Sequence, residues 1–184
     1  MPVADLDRAT PATAAGLLRP SCASARWIER MVGGRPHGSL PALVAASDAT
    51  IATLSWPDIE RALAAHPRIG ARLPDQGGPR DQGGPQDQGA LQDREAAWSR
   101  QEQSTAARSA DELTKAALVD VNRAYESRFG RVFLIFASGR TQEQILAEAR
   151  ERLANDEDTE RVIVADELRK IALLRLERVL DALR

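Results

Sequence analysis

Apolar residues recur every three or four positions along most of the chain, the spacing that places them on one face of an α-helix. In one such stretch, Leu113, Ala117, Val121 and Ala124 are predicted to face the core. The pattern predicts helices over residues 11–18, 24–33, 40–53, 57–65, 93–108, 111–128, 141–154 and 158–182. We therefore expect an all-α fold, a compact single-domain bundle of about eight helices.

Capping residues mark several of the predicted helix starts. Ser55-Trp-Pro-Asp58 is typical of an N-cap serine followed by a proline and a carboxylate in the first turn. Ser109–Glu112 and Thr141–Gln144 fit the capping box, in which two side chains satisfy each other's backbone amides.

One run, Val-Phe-Leu-Ile-Phe-Ala at residues 132–137, breaks the helical pattern. It is rich in β-forming residues, yet a lone strand cannot form a sheet. We expect either an extended or irregular buried segment or a buried helical turn, and the spacing does not decide between them. An extended segment would leave backbone amides in need of partners, which would make it a candidate wall of a ligand site.

A six-residue repeat, Asp-Gln-Gly-Gly-Pro-Arg and its variants, occupies residues 75–92. It contains almost nothing to bury, so it cannot offset the entropy lost on ordering. We interpret it as a flexible loop within a single domain that spans residues 1–184. A tolerated repeat expansion is the simpler explanation of the loop, and a lid over the site is the alternative.

The composition of the chain argues against several classes of protein function. Of the 184 residues 28% are charged, and the net charge of −2 argues against a nucleic-acid-binding surface spread over the molecule. Cys22, His37 and His66 are the only cysteine and histidines, too few for a Cys/His zinc site. No run approaches 18 apolar residues and the N-terminus is acidic, so we expect a cytoplasmic protein with no membrane segment.

His66 follows the predicted helix 57–65 and precedes Pro67 and Gly70. The proline biases His66 away from helical geometry, which holds the imidazole on a constrained corner. Such a histidine is a candidate general acid or base, although, taken alone, its position favours a helix-capping role. His37 lies in a predicted surface turn, and we expect no catalytic role for it.

Two further polar sites interrupt helix faces. Ser99, Glu102 and Gln103 share one side of the predicted helix 93–108, where they could bind a small polar ligand or form an interhelical hydrogen-bond cluster. Arg175 lies within an apolar stripe of the last helix and needs an anion, supplied by an internal carboxylate or by a ligand. The stripe consists of Val164, Leu168, Ile171, Ala172 and Val179.

Several segments, in this order, resemble one family, the decarboxylases of 2-oxo-4-hydroxy-4-carboxy-5-ureidoimidazoline (OHCU). The matching segments are Cys22–Trp27, His66–Gly70, Ser99–Gln103, Asn122–Gly130, Phe133–Arg140, Arg152–Asn155 and Glu167–Leu176. The resemblance covers nearly the whole chain except the extreme N-terminus and the repeat, which makes the loop between His66 and Ser99 longer than we expect for the family.

The resemblance implies an all-α fold, decarboxylation of OHCU to (S)-allantoin as the last step of urate degradation, no cofactor or metal, and a homodimer. It implies that His66 is the catalytic proton donor and that Glu102 is the catalytic carboxylate. The residues it implies in substrate binding are Pro67, Ser99, Arg100, Gln101, Gln103, Leu134, Ile135, Phe136, Ala137, Ser138 and Arg175.

Two other functions remain compatible with the residues. A non-catalytic helical interaction module would use the polar clusters only for stability and dock a protein partner through apolar faces. A decarboxylase or lyase of a related ureido acid would keep the same chemistry with a different substrate.

Overall fold

The computed structural model describes residues 2–64, 66, 68, 69, 98 and 112–182. Within these ranges it has eight bounded helices and no strand, which confirms the all-α fold class. The helices are α1 (Pro2–Arg8), α2 (Pro11–Leu18), α3 (Ala25–Gly33), α4 (Leu40–Ile51), α5 (Trp56–Leu63), α6 (Glu112–Phe129), α7 (Gln142–Arg152) and α8 (Glu157–Asp181). None of the helices in the described ranges is long and apolar enough to cross a lipid bilayer.

Seven predicted helices are confirmed as α2 to α8, each within two residues at both ends. The predicted helix 93–108 lies outside the described residues except for Trp98, which is helical. The repeat at 75–92 also lies outside them.

Helix α1 was not predicted, and its stabilising contacts come from a distant part of the chain. The Arg35 guanidinium donates to the carbonyls of Leu6 (2.9 Å) and Ala9 (2.7 Å), which caps the C-terminal end of α1. The Asp7 carboxylate accepts hydrogen bonds from the backbone amides of residues 37–38, both at 2.9 Å. A seven-residue helix is marginal by itself, so these tertiary contacts account for α1 where local pattern does not.

The caps behave largely as the sequence predicts. Thr141 and Gln144 form the complete capping box at the start of α7. Ser55 is the N-cap of α5, but its hydroxyl donates to the Asp58 carboxylate (2.6 Å) and makes no bond to a backbone amide. This hydrogen bond lowers the pKa of Asp58. Ser109 lies outside the described residues.

The chain divides into two compact units, Met1–Ala65 with Asp156–Arg184 and, between them in sequence, His66–Asn155. The expectation of one domain over residues 1–184 stays a prediction.

In the first unit, α8 packs against α1, α2, α4 and α5, while α3 packs against α2 and α4. The predicted apolar stripe of α8 is confirmed, because all of its members are buried. On α3, the buried indole of Trp27 donates to the Ser47 hydroxyl of α4 (3.1 Å), so the large ring and its polar N–H are both accommodated.

In the second unit, α6 packs against α7. The predicted core face of α6 is wrong for Leu113, which is 80% exposed, and for Ala124, which is also exposed. The buried face is rotated because it is set by the largest side chain of the helix, Tyr125, which the apolar spacing left out. That face consists of Leu118, Val121, Asn122 and Tyr125.

The same valine-to-alanine substitution at a buried and at an exposed position of α8 tests this packing. Val164 is fully buried and Val162 is 72% exposed. We expect Val164→Ala to lower the free energy of unfolding by about 2 kcal/mol, because it removes buried methyl groups and leaves a cavity. Val162→Ala should change it by less than about 0.5 kcal/mol. Urea unfolding followed by circular dichroism measures both, and equal losses would contradict the observed face of α8.

Candidate functional site

The predicted site residues fall into two groups. His66, Arg175 and the segment 134–138 are described. The others lie outside the described residues, and they are Pro67, Ser99, Arg100, Gln101, Glu102 and Gln103.

His66 occupies a bend just after α5, at the start of the second unit. The residue is half-buried, and its Nε2 atom is shielded from solvent. A shielded ring nitrogen exchanges protons with bulk water less readily than an exposed one. His66 therefore has the setting of a group that transfers a proton to a bound molecule.

The chain just after His66 is attached to α6 at two successive residues. The Arg68 guanidinium donates two hydrogen bonds to the Glu126 carboxylate, of 2.5 and 2.8 Å. The Asn122 side-chain amide donates to the Ile69 carbonyl at 2.6 Å, and the Ile69 side chain is buried in the core. The hydrogen bonds from Arg68 lower the pKa of Glu126, so this carboxylate is charged at neutral pH.

A cavity of about 330 Å³ opens beside these contacts. Its lining residues are Arg68, Ile69, Val119, Asn122, Arg123 and Glu126. The backbone of residues 68–69 is therefore not closely packed on the side of the cavity. On that side, the hydrogen bonds to α6 hold it in place.

The segment 132–137 is neither helix nor strand, so of the two predicted conformations the extended or irregular one is confirmed. Phe133, Leu134, Ile135 and Ala137 are all buried. Gly130 and Gly139 flank the segment with φ of +67° and +80°, values that side chains larger than glycine's rarely allow. The flanking glycines thus let the chain turn into and out of a buried, non-helical run.

A buried arginine of α7 supports this segment. Arg152 is 2% exposed and donates to the Leu134 carbonyl at 2.8 Å. Its guanidinium lies 4.6 Å from the Phe133 ring centroid and 5.9 Å from that of Tyr125. The side chain thus satisfies a carbonyl that no regular secondary structure serves.

The backbone amides of this segment are only partly satisfied. In the part of the chain that the structure describes, the N–H groups of Leu134 and Ile135 donate no hydrogen bond, and both residues are nearly inaccessible to solvent. A buried amide without an acceptor costs about 1–3 kcal/mol, so such groups commonly face a ligand or water. The segment therefore has the donors expected of a ligand-binding wall.

Arg175 is 3% exposed on α8 of the first unit, which confirms its predicted position within the apolar stripe. One of its guanidinium nitrogens donates to the Pro20 carbonyl at 3.4 Å. Pro20 lies between α2 and α3, two residues before the buried Cys22. A role for Arg175 in substrate binding stays a prediction.

The other histidine has structural contacts. His37 lies between α3 and α4, where its Nε2 donates to the Met31 carbonyl at 2.9 Å. Its backbone amide donates to Asp7.

Arg152 and Asn122 were named from the sequence only as the first residues of two segments that resemble the family, and neither was given a role. The signal for Arg152 was available, because Ile145, Ala149 and Arg152 follow helical spacing and place a cation on the core face of α7. The same pattern, a cation on the apolar face of a helix, identified Arg175. Asn122 gave no comparable signal, since its partner is a backbone carbonyl 53 residues away.

Within the described ranges, no three His, Cys, Asp or Glu side chains converge in a way that could hold a metal ion. The features that stand out are a histidine bend tied to α6 and a buried segment with amide donors.

Together, these features define an all-α protein with a candidate site for a small polar ligand. The model of the OHCU decarboxylase family matches residues 7–177, and the chain belongs to that family.

Curated relatives agree with this assignment. The chain is 30% identical over 158 residues to the uric acid degradation bifunctional protein TTL of Arabidopsis thaliana, covering 86% of this chain and 44% of the relative. It is 26% identical over 157 residues to the uric acid degradation bifunctional protein of Bacillus sp. (strain TB-90), covering 83% of this chain and 27% of that relative. It is 36% identical over 86 residues to the 2-oxo-4-hydroxy-4-carboxy-5-ureidoimidazoline decarboxylase of Amia calva, covering 46% of this chain and 49% of that relative. The matches therefore span less than half the length of each relative.

Solved structures show the same fold. A crystal structure of OHCU decarboxylase in the presence of (S)-allantoin matches with a TM-score of 0.70 at 24% identity, over 89% of this chain and 96% of that one. A crystal structure of (S)-allantoin synthase matches with a TM-score of 0.66 at 19% identity, over 96% of this chain and 53% of that one.

Two arginines of α7 test the support of the buried segment. Arg152→Met should lower the free energy of unfolding by about 1–3 kcal/mol, because the Leu134 carbonyl loses its donor in a buried site. Arg150→Met removes the same charge from an exposed position of the same helix and should cost less than about 0.5 kcal/mol. Urea unfolding measures the difference, and indistinguishable variants would show that Arg152 does not support the segment.

Proposed function

We propose that this protein decarboxylates OHCU to (S)-allantoin, the last step in the conversion of urate to allantoin. The observation that carries the proposal is the family match over residues 7–177, which includes every residue given a role below. The shielded His66 and the amide donors of the buried segment support it independently.

The reaction makes three demands on a protein. OHCU carries a carboxylate on the carbon that bears a hydroxyl, next to the ring carbon that bears the ureido group and is doubly bonded to a ring nitrogen. Breaking the bond to the carboxylate releases CO₂ and leaves an electron pair that delocalises into that carbon–nitrogen double bond. The protein must orient the carboxylate, stabilise the developing negative charge, and deliver one proton to one face of the ureido-bearing carbon, while the hydroxyl-bearing carbon becomes a carbonyl.

His66 is the proposed proton donor. Its Nε2 is shielded from solvent, which favours delivery of the proton to a bound molecule over exchange with water. Glu102, outside the described residues, is the proposed carboxylate that orients the imidazole and the substrate hydroxyl. Protonation from one side gives the (S) product.

The remaining proposed roles are in binding. The amides of Leu134 and Ile135 would donate to ring or ureido oxygens of the substrate, and the chain from Phe136 to Ser138 would continue the same wall. Arg175 would bind an anionic group. Pro67, Ser99, Arg100, Gln101 and Gln103 complete the proposed set.

A homodimer and a cytoplasmic location belong to the same proposal. The family resemblance supports the dimer. Cys22 is buried, and as the single cysteine of the sequence it cannot form a disulfide within the chain, which fits a reducing compartment.

Turnover can be tested with OHCU generated in place from urate by urate oxidase and hydroxyisourate hydrolase. Adding this protein should speed the decay of the ultraviolet and circular-dichroism signals of OHCU and yield optically active allantoin. His66→Asn should slow turnover by about 10²–10⁴-fold, the usual contribution of general acid–base catalysis, with unchanged helicity.

His37→Asn is the matched control, because it removes the other imidazole from a loop with structural contacts and should retain turnover. Stereospecific turnover by His66→Asn at the wild-type rate would reject the proposed role of His66. No acceleration by the wild-type protein would reject the proposed substrate. A panel of related ureido acids would then separate another decarboxylase or lyase from an interaction module.

A further inference from the structure

The chain beside His66 is held against α6 by side-chain hydrogen bonds in addition to apolar packing. Arg68 and Ile69 are successive residues, and each is bound by a different side chain of α6. Their partners, Glu126 and Asn122, are four residues apart and therefore lie on one face of that helix. One rigid helix thus fixes two adjacent points of the chain, two and three residues after His66.

The residue type at position 122 is informative. Asn122 is 5% exposed, and its Oδ1 atom is buried with no donor among the described residues. A leucine there would add apolar contacts with the surrounding core and would not bury an unsatisfied oxygen. Among the described residues, what the asparagine adds is its hydrogen bond to the Ile69 carbonyl. Its chemistry fits a residue that fixes a backbone position better than one that stabilises the core.

The Glu126 contact complements this one. The two-point contact between a guanidinium and a carboxylate fixes orientation as well as distance. The Glu126 side chain is 25% exposed and that of Arg68 is 61% exposed, so solvent weakens the contribution of the pair to stability. The geometric constraint does not depend on that contribution. The cavity beside Arg68 and Ile69 leaves these hydrogen bonds as the restraint on that side.

We propose that Asn122 and Glu126 are positioning residues that fix the location of the His66 imidazole by holding Ile69 and Arg68 against α6. This inference rests on the proposed function, in which His66 transfers the proton. Neither residue is assigned a contact with substrate. Small displacements of a catalytic group cost large factors in rate, so loss of either anchor should reduce turnover more than stability.

Turnover and histidine NMR test the proposal together, using Asn122→Leu, Glu126→Gln and the double variant. Asp120→Asn is the matched control, since it makes the same carboxylate-to-amide change on an exposed side chain of α6 whose ion pair lies within the helix. We expect each single variant to lower kcat about 10-fold and the double variant about 10²-fold, with melting temperatures near that of the wild type. Asp120→Asn should retain wild-type kcat.

The NMR readout is independent of turnover. The chain has two histidines, so the imidazole ring signals reduce to two sets, and His37→Asn assigns them. The His66 ring shifts and their pH titration should change in Asn122→Leu and Glu126→Gln, and should match the wild type in Asp120→Asn. A purely structural role for the anchors would leave the His66 signals of the folded protein unchanged.

Several results would overturn the proposal. The first is wild-type kcat together with wild-type His66 ring shifts in both Asn122→Leu and Glu126→Gln. The second is a loss of kcat in Asp120→Asn as large as in these variants. The third is a loss of kcat in the two variants with unchanged His66 ring shifts. If Asn122→Leu does not fold, Glu126→Gln carries the same test. If the wild-type protein does not turn over OHCU, the proposed function fails, and the NMR shifts alone decide whether α6 positions His66.

Discussion

The second unit depends on the burial of one face of α6. Leu118, Val121 and Tyr125 on that face form one apolar cluster with Ile69, with Phe133 and Ile135, and with the buried side of α7. The ring of Tyr125 lies 4.7 Å from that of Phe129 and 5.2 Å from that of Phe133. The chain after His66 and the buried segment are both non-helical, yet both rest on this helix. Their separation is therefore set by a single rigid support within a close-packed core.

Segments without regular structure cannot satisfy their own backbone groups, and α6 and α7 supply the missing partners. Asn122 donates to the Ile69 carbonyl, and Arg152 donates to the Leu134 carbonyl. Both donors are buried polar side chains on helix faces that are mostly apolar. Each fixes one irregular segment, and the amides left over at Leu134 and Ile135 are the groups that we propose for the substrate.

Much of the fold could be predicted from local pattern. Spacing and caps placed seven helices, because an amphipathic helix carries its own period and its own start signals. Helix α1 was missed because Arg35 and the amides of residues 37–38 stabilise it from a distance. The face of α6 was misplaced because Tyr125 and Asn122 are buried there while Leu113 is exposed.

The candidate site could be predicted less completely. Proline punctuation drew attention to His66, and a cation within an apolar stripe drew attention to Arg175. Periodicity says which side of a helix a residue occupies but not which backbone it meets, so the roles of Asn122 and Arg152 needed the structure. The family resemblance supplied roles for residues 99–103, which lie outside the described residues and remain proposals.

We propose that His66 and the buried segment act on one ligand, and a crystal structure of this protein with (S)-allantoin tests this. We expect an oxygen of allantoin to lie within about 3.2 Å of the Leu134 or Ile135 amide nitrogen, with His66 Nε2 facing the carbon that receives the proton. Allantoin bound elsewhere, with these amides and His66 out of contact with it, would contradict the proposal.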